Sequence, residues 1–285
     1  MKKLVLLIAA VLFFGNSAWA GCDYTSKCSP AAYGNVSPSW QRVSKYTGAT
    51  FLTEQIANSI IKKELKKATK ENFKVHIKSY SAKDLAQGRF KSLQISGKNL
   101  EIENAYITLF ELKTLCDFNY VEFGKDYLKF KENMVMDFTM EISDFDLRRT
   151  MKSSGYLDML NNTNISALGL TLLKLENADV KIKNNKLFFT LKVSSKLLPM
   201  PVDMILKADL KVEDGQIVLT KVDFVNTYTR MDLSKAAYLL NILNPLTFST
   251  DILENKKSKL SVQNVNIIGD KIIINGLVFI PKNTK

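Results

Sequence analysis

Few residues in this chain have the types and spacing that chemistry requires. His76 is the sole histidine, so a site built on two imidazoles is excluded within one chain, and with it the HExxH metalloproteases and most multi-histidine zinc or iron centres. A Ser-His-Asp triad would have to use His76, which lies between Lys74 and Lys78 on the polar side of an alternating run and reads more plainly as a solvated strand histidine. Asp144 and Asp146 are the best-placed carboxylate pair, but Asp144 follows Ser143 at the head of a helical stretch, where a helix cap is the better explanation. No Walker A loop, GxGxxG, GxSxG, CxxC or EF-hand loop is present. The chain reads as a binding protein, not an enzyme, with no cofactor and no metal.

Cys22, Cys28 and Cys116 offer a different chemistry, and the N-terminus sets their compartment. Met1, Lys2 and Lys3 are followed by an unbroken apolar run from Leu4 to Phe14 and by Ala18-Trp19-Ala20, the pattern of a secretory signal peptide over residues 1–20. The run is well short of the ~20 residues needed to span a bilayer. Cleavage after Ala20 is one reading; the other is a lipoprotein signal that acylates Cys22, although Trp19 stands where such signals usually carry an aliphatic residue. Acylation of Cys22 would leave Cys28 and Cys116 to pair in an oxidising compartment, whereas simple cleavage also permits a Cys22–Cys28 loop with Cys116 free. Either way the expectation is an exported protein of the periplasm or cell envelope, or a secreted one.

The elements that would position any site follow from the rest of the chain. With 285 residues, 46% of them hydrophobic and 10% aromatic, the sequence can bury a large core without staples. Residues 21–48, rich in Ser, Pro, Gly and Tyr, read as a flexible leader or tether. Residues 49–285 read as a single domain. It opens on an amphipathic helix in which Leu52, Ile56, Ile60, Ile61, Leu65 and Ala68 recur at helical spacing, while Lys62, Lys63, Lys66, Lys67 and Lys70 fall mostly outside that stripe. The apolar stripe is expected to pack on a sheet with its lysines in water. Strand patterns follow at 73–78, 89–97, 99–110, 117–123, 126–131 and 133–142, then a helix from Ser143-Asp144 to about Leu160. The second half repeats the plan, with strands at 168–176, 178–184, 186–194, 202–213 and 216–225, a helix at 233–243, and strands at 259–268 and 271–279. Asn184-Asn185, Asp214-Gly215 and Gly269-Asp270 mark tight hairpin turns. The absence of βαβ alternation argues against a parallel sheet.

Charge and apolar supply suggest the partner. The formal charge of +12 falls to +10 when Lys2 and Lys3 leave with the signal. Nucleic acid is a poor partner outside the cytoplasm, and no aromatic-basic motif of the RRM type is present. An anionic membrane surface is the natural counterpart of Lys62, Lys63, Lys66 and Lys67, each worth on the order of 1 kcal/mol near such a bilayer. Several strands also offer one face of long, flexible apolar side chains: Met134, Met136, Phe138 and Met140, then Leu187, Phe189 and Leu191, then Met204, Leu206 and Leu210. Such faces are either core or the lining of an adaptable apolar groove.

The stretch Gly88-Arg89-Phe90-Lys91-Ser92-Leu93-Gln94-Ile95-Ser96-Gly97-Lys98-Asn99-Leu100-Glu101-Ile102 resembles the opening strands of the LmeA-like phospholipid-binding family. Ile142-Ser143-Asp144-Phe145-Asp146-Leu147-Arg148, Glu213-Asp214-Gly215-Gln216-Ile217-Val218-Leu219, Asn244-Pro245-Leu246 and Gly276-Leu277 before Pro281 agree in order, so that the likeness covers about residues 52–281. The 117–131 region and the cysteine-containing leader depart from the pattern. The resemblance implies an α+β, TULIP-like fold, a long curved antiparallel sheet wrapped around one or two helices, and phospholipid binding in the cell envelope with no catalytic residues. On that reading the apolar strand faces from Met134 to Met140, Leu187 to Leu191 and Met204 to Leu210 line a groove that carries or holds acyl chains. The alternative is a non-catalytic structural or interaction protein of the envelope whose apolar faces collapse into core.

Overall fold

The computed structural model describes residues 28, 39, 42–43, 47–123, 128–162, 173–195, 200–226, 233–251 and 258–282; the signal-peptide segment and Cys22 lie outside them. The protein is α+β with antiparallel sheets and is not a closed barrel. Helix α1 (Ala49–Thr69) is followed by β1 (Phe73–Lys78), the short α2 (Ala82–Ala86), β2 (Arg89–Phe90), β3 (Ser92–Ile102), β4 (Ala105–Thr114), β5 (Asn119–Phe123), β6 (Leu128–Phe130) and β7 (Met134–Ser143). Helices α3 (Asp144–Met151) and α4 (Ser154–Asn162) then lead to β8 (Leu173–Lys183), β9 (Lys186–Ser195), β10 (Val202–Glu213) and β11 (Gln216–Phe224). Helices α5 (Leu233–Ile242) and α6 (Pro245–Asp251) precede the closing hairpin β12 (Lys259–Ile268) and β13 (Lys271–Ile280).

Where one long curved sheet was expected, the described strands divide among three: six strands in the order β1-β3-β4-β7-β13-β12, four in the order β11-β10-β9-β8, and a small β2-β5-β6 sheet. The two larger sheets share one hydrophobic core with the helices. On the six-stranded sheet the inner face is built by cross-strand rows. Val75 stands opposite Ile95, Ile95 opposite Leu112, and Leu112 opposite Phe138; Phe138 in turn stands opposite Gly276. A Cβ at Gly276 would come within 2.4 Å of the Ser261 carbonyl oxygen and 2.7 Å of the Phe138 ring, so this position accepts only hydrogen.

Turn chemistry explains the hairpins. Asn184 and Asn185 both take positive φ, as do Asp214 and Gly215, which is what two-residue turns between right-twisted strands demand. Two boundaries differ from the sequence reading. The β3–β4 turn falls at Glu103-Asn104, both at positive φ, and not near Lys98-Asn99; there β3 runs on in unbroken register, Lys98 opposite Leu109 and Leu100 opposite Ile107, with Asn99, also at positive φ, between them. The expected strands 168–176 and 178–184 are described as one strand from Leu173 that carries a register shift between Leu175 and Asn177. In β8 a bulge absorbs the break in alternation that otherwise reads as a turn, whereas in β3 two successive exposed residues, Lys98 and Asn99, interrupt the alternation without changing the register.

The helices dock on sheet edges through polar side chains. On α1, Asn58 accepts the Ile77 N–H at 2.8 Å and Glu54 accepts the Ser79 N–H at 2.6 Å. On α5, Asn241 accepts the Leu219 N–H at 2.7 Å and donates to the Leu219 carbonyl at 3.0 Å. Asn244, which also caps α6 by accepting the Leu246 N–H, donates to the Ile217 carbonyl. Each amide replaces the missing neighbour strand, the device by which sheets avoid open edges.

Candidate functional site

The face of α1 that meets the protein carries Ala57, Asn58, Ile61 and Leu65. The apolar stripe read from the sequence is therefore only half right. Ile61 and Leu65 pack into the core, but Leu52 and Ile56 point the other way and are 63% and 61% exposed, with Phe51 at 62%. The physical reason is that polar residues set the rotation of the helix. Asn58 and Glu54 must face the β1 edge to meet Ile77 and Ser79, and at 100° per residue this turns positions 52 and 56 outward. Lys63, Lys66 and Lys67 follow on the same outward side and Lys62 on its flank, all four exposed. Lys67 pairs with Glu64 at 2.9 Å. The outward side of α1 is thus divided lengthwise, apolar in its first two turns and cationic in its last three.

The ten candidate groove residues are placed differently from an open lining. Met134, Met136, Phe138, Met140, Leu187, Phe189, Leu191, Met204 and Leu206 are at most 3% exposed and belong to one core cluster. Met140 lies between Phe110 and Ile274, and Leu206 opposite Phe189. These side chains fill the interior against one another. Leu210 lines a cavity of about 810 Å³ between the turn end of the four-stranded sheet and the outer edge of β12, together with Lys186, Asp209, Lys221, Val265 and Ile267. Asp209 accepts from Lys186 and from Lys221, and these contacts, with that to Lys186 foremost, hold its carboxyl below the usual carboxylate range.

The residues that drew attention as chemistry are occupied structurally. His76 is exposed on β1 between exposed Lys74 and Lys78. Asp144 is not the cap of α3: the capping box is Ser143 with Asp146, whose carboxylate accepts the Ser143 N–H at 3.1 Å and the Thr108 hydroxyl. Asp144 instead accepts the Ile182 N–H at 2.7 Å and Arg148 at 2.6 Å. Burial pushes the Tyr156 hydroxyl up, and it donates to the Leu243 carbonyl inside the core. Among the described residues no group of three His, Cys, Asp or Glu side chains is placed to hold a metal ion, and no helix is long and apolar enough to cross a membrane. Cys28 is joined to Cys116 by a disulfide, and the pair packs with Val135, Leu277 and Phe279 on the outer face of the six-stranded sheet.

The exposed Leu52 and Ile56 were missed as site residues because periodicity alone gave them to the core, and Phe51 lay outside the stripe that periodicity picked out. The signal that could have placed them was Asn58, a polar residue one position from Ala57 and three from Ile61, which marks where the buried face lies. Comparison with known proteins brings no match to a family model, to a curated protein or to a solved structure.

Proposed function

We propose that this is a phospholipid-binding protein of the cell envelope that engages the membrane through the outward side of α1. The observation that carries the reading is the exposure of Phe51, Leu52 and Ile56 beside Lys62, Lys63, Lys66 and Lys67. Large apolar residues so exposed and contiguous mark an interaction surface, and a helix with lysines beside them suits the interface of an anionic bilayer. With roughly 60% of each side chain still to be buried, the three apolar residues together supply about 3 to 4 kcal/mol on insertion, and the lysines add on the order of 1 kcal/mol each. The resemblance to the LmeA-like family and the two apolar sheet faces meeting in one core support a TULIP-like reading, in which the sheets part to admit acyl chains. Extraction from a bilayer exchanges one apolar environment for another, so a carrier of this kind needs little net affinity.

The filled interior favours a second reading: a non-catalytic structural or interaction protein whose core holds no ligand. Two measurements separate them. The mature protein is sedimented with phosphatidylcholine vesicles containing phosphatidylglycerol, and its organic extract is examined by mass spectrometry for retained phospholipid. Binding that is lost in Phe51→Ser/Leu52→Ser/Ile56→Ser, together with phospholipid in the extract, is the expected result. Binding without retained lipid, and without uptake of a fluorescent phospholipid, selects the second reading; failure in both assays overturns the proposal.

A further inference from the structure

We infer that the open half of β12 receives an extended, acidic segment of a partner protein by strand addition. Ile268 stands opposite Lys271 across the two-residue turn Gly269-Asp270, so those two residues exchange their hydrogen bonds and the alternation turns the N–H and C=O groups of Val265 and Ile267 away from β13. The same rule turns Ile182, Ile217 and Leu219 outward at the edges of β8 and β11, and each of these has a partner: Asp144, Asn244 and Asn241 respectively. On β12 itself the Val262 N–H is met by the Gly215 carbonyl at 2.8 Å. Beyond the register shift between Val262 and Asn264, no hydrogen bond to the outward groups of Val265 or Ile267 is seen among the described residues. An edge that is open here, while Ile182, Ile217, Leu219 and Val262 are met, is a template for another strand.

The surroundings of that edge select the occupant. Val265 and Ile267 face the cavity with Leu210, so alternate side chains of an added strand would meet an apolar floor. The opposite rim carries Lys186, Lys211 and Lys221 against Asp209 and Glu213. Asp209 is divided between two lysines, which leaves the rim net cationic, and Lys221 is 81% exposed. A second copy of this chain would bring the same lysines to the same edge and be repelled. An extended segment with apolar and acidic residues in alternation satisfies the edge, the floor and the rim together.

The probe is a fluorescein-labelled octapeptide of alternating Val and Glu, compared with one of alternating Val and Lys, titrated against the full mature chain by fluorescence anisotropy. The acidic peptide is expected to bind saturably and the basic one not. Hydrogen exchange at Val265 and Ile267 should slow in the complex. Ile267→Pro removes an N–H that β13 does not use and should weaken binding roughly tenfold or more. Lys211→Glu/Lys221→Glu, at two exposed positions, tests the same site without touching the strand and should weaken it comparably. Equal binding of both peptides, binding unchanged in the lysine variant, no binding of the acidic peptide, or self-association through β12 in its place would each overturn the inference. Vesicle binding through α1 is unaffected by any of these outcomes.

Discussion

Asn241 gives the sharpest test of how the sheet edges are closed. Its side chain accepts the Leu219 N–H at 2.7 Å and donates to the carbonyls of Leu219 and Ala237, both at 3.0 Å. Leu219 is 3% exposed, so water does not readily replace these bonds. Asn241→Leu keeps the volume and removes all of them, leaving the buried N–H and C=O of Leu219 without partners at about 1 to 3 kcal/mol each. Added burial of the leucine offsets about 1 kcal/mol of this, so the expected loss is about 3 kcal/mol, a large part of a typical domain stability of about 5 to 15 kcal/mol. Urea unfolding followed by circular dichroism measures it. Asn241→Asp adds a control of sign: its carboxylate still accepts the Leu219 N–H but faces two carbonyl oxygens, which raises its folded pKa above the unfolded one. That variant should be weakest at neutral pH and regain stability as the pH falls through the carboxylate range, where the protonated acid donates again. If Asn241→Leu unfolds within about 1 kcal/mol of the parent, the amide is not what closes the β11 edge.

Three further outcomes follow from the packing and charge. Gly276→Ala forces a methyl against the Ser261 carbonyl and the Phe138 ring; overpacking there should cost about 1 to 3 kcal/mol in denaturant unfolding, and Gly276→Ala combined with Phe138→Leu should recover part of it. Cys28→Ser/Cys116→Ser removes a link across 88 residues and should lower stability by about 2 to 4 kcal/mol, with reduction of the parent giving the same shift in Tm. The carboxyl of Asp209 is held below its ordinary value by Lys186 and Lys221, so its contribution is present above the unfolded pKa and lost as the pH falls through the folded one; Asp209→Asn should flatten that acid limb of the stability curve.

Most strands were legible because each is half-buried and its residues alternate: β1 reads Phe73, Val75, Ile77 inward and Lys74, His76, Lys78 outward, as the structure has it. The turns at 184–185 and 214–215 were legible from Asn and Gly, whose types answer a requirement for positive φ. The passage of β3 through Asn99 was not, because a positive-φ residue inside a strand and a turn break alternation in the same way and only the partner strand distinguishes them. The expected helix to about Leu160 divides at Lys152-Ser153, where the Ser153 hydroxyl donates to the Thr150 carbonyl and accepts the Tyr156 N–H; nothing in its apolar spacing marks that break. Among the site residues, lysine placement on α1 followed from the helical period, but the orientation of Phe51, Leu52 and Ile56 depends on which edge Asn58 finds. Whether Met134 to Met140 line a groove or fill a core could not be read from alternation, which is identical in the two cases.

The disulfide also decides what proteolysis can do to this molecule. Cys116 lies beyond β4, and Cys28 belongs to the leader, so the bond staples the leader to the far side of the six-stranded sheet from the core. A protease that cuts between residue 29 and the start of α1 severs the chain without releasing the leader. The two pieces would migrate together until a reductant is added and separate afterwards. A nicked molecule therefore keeps whatever is attached ahead of Cys28, and only a reducing environment lets the folded domain go free.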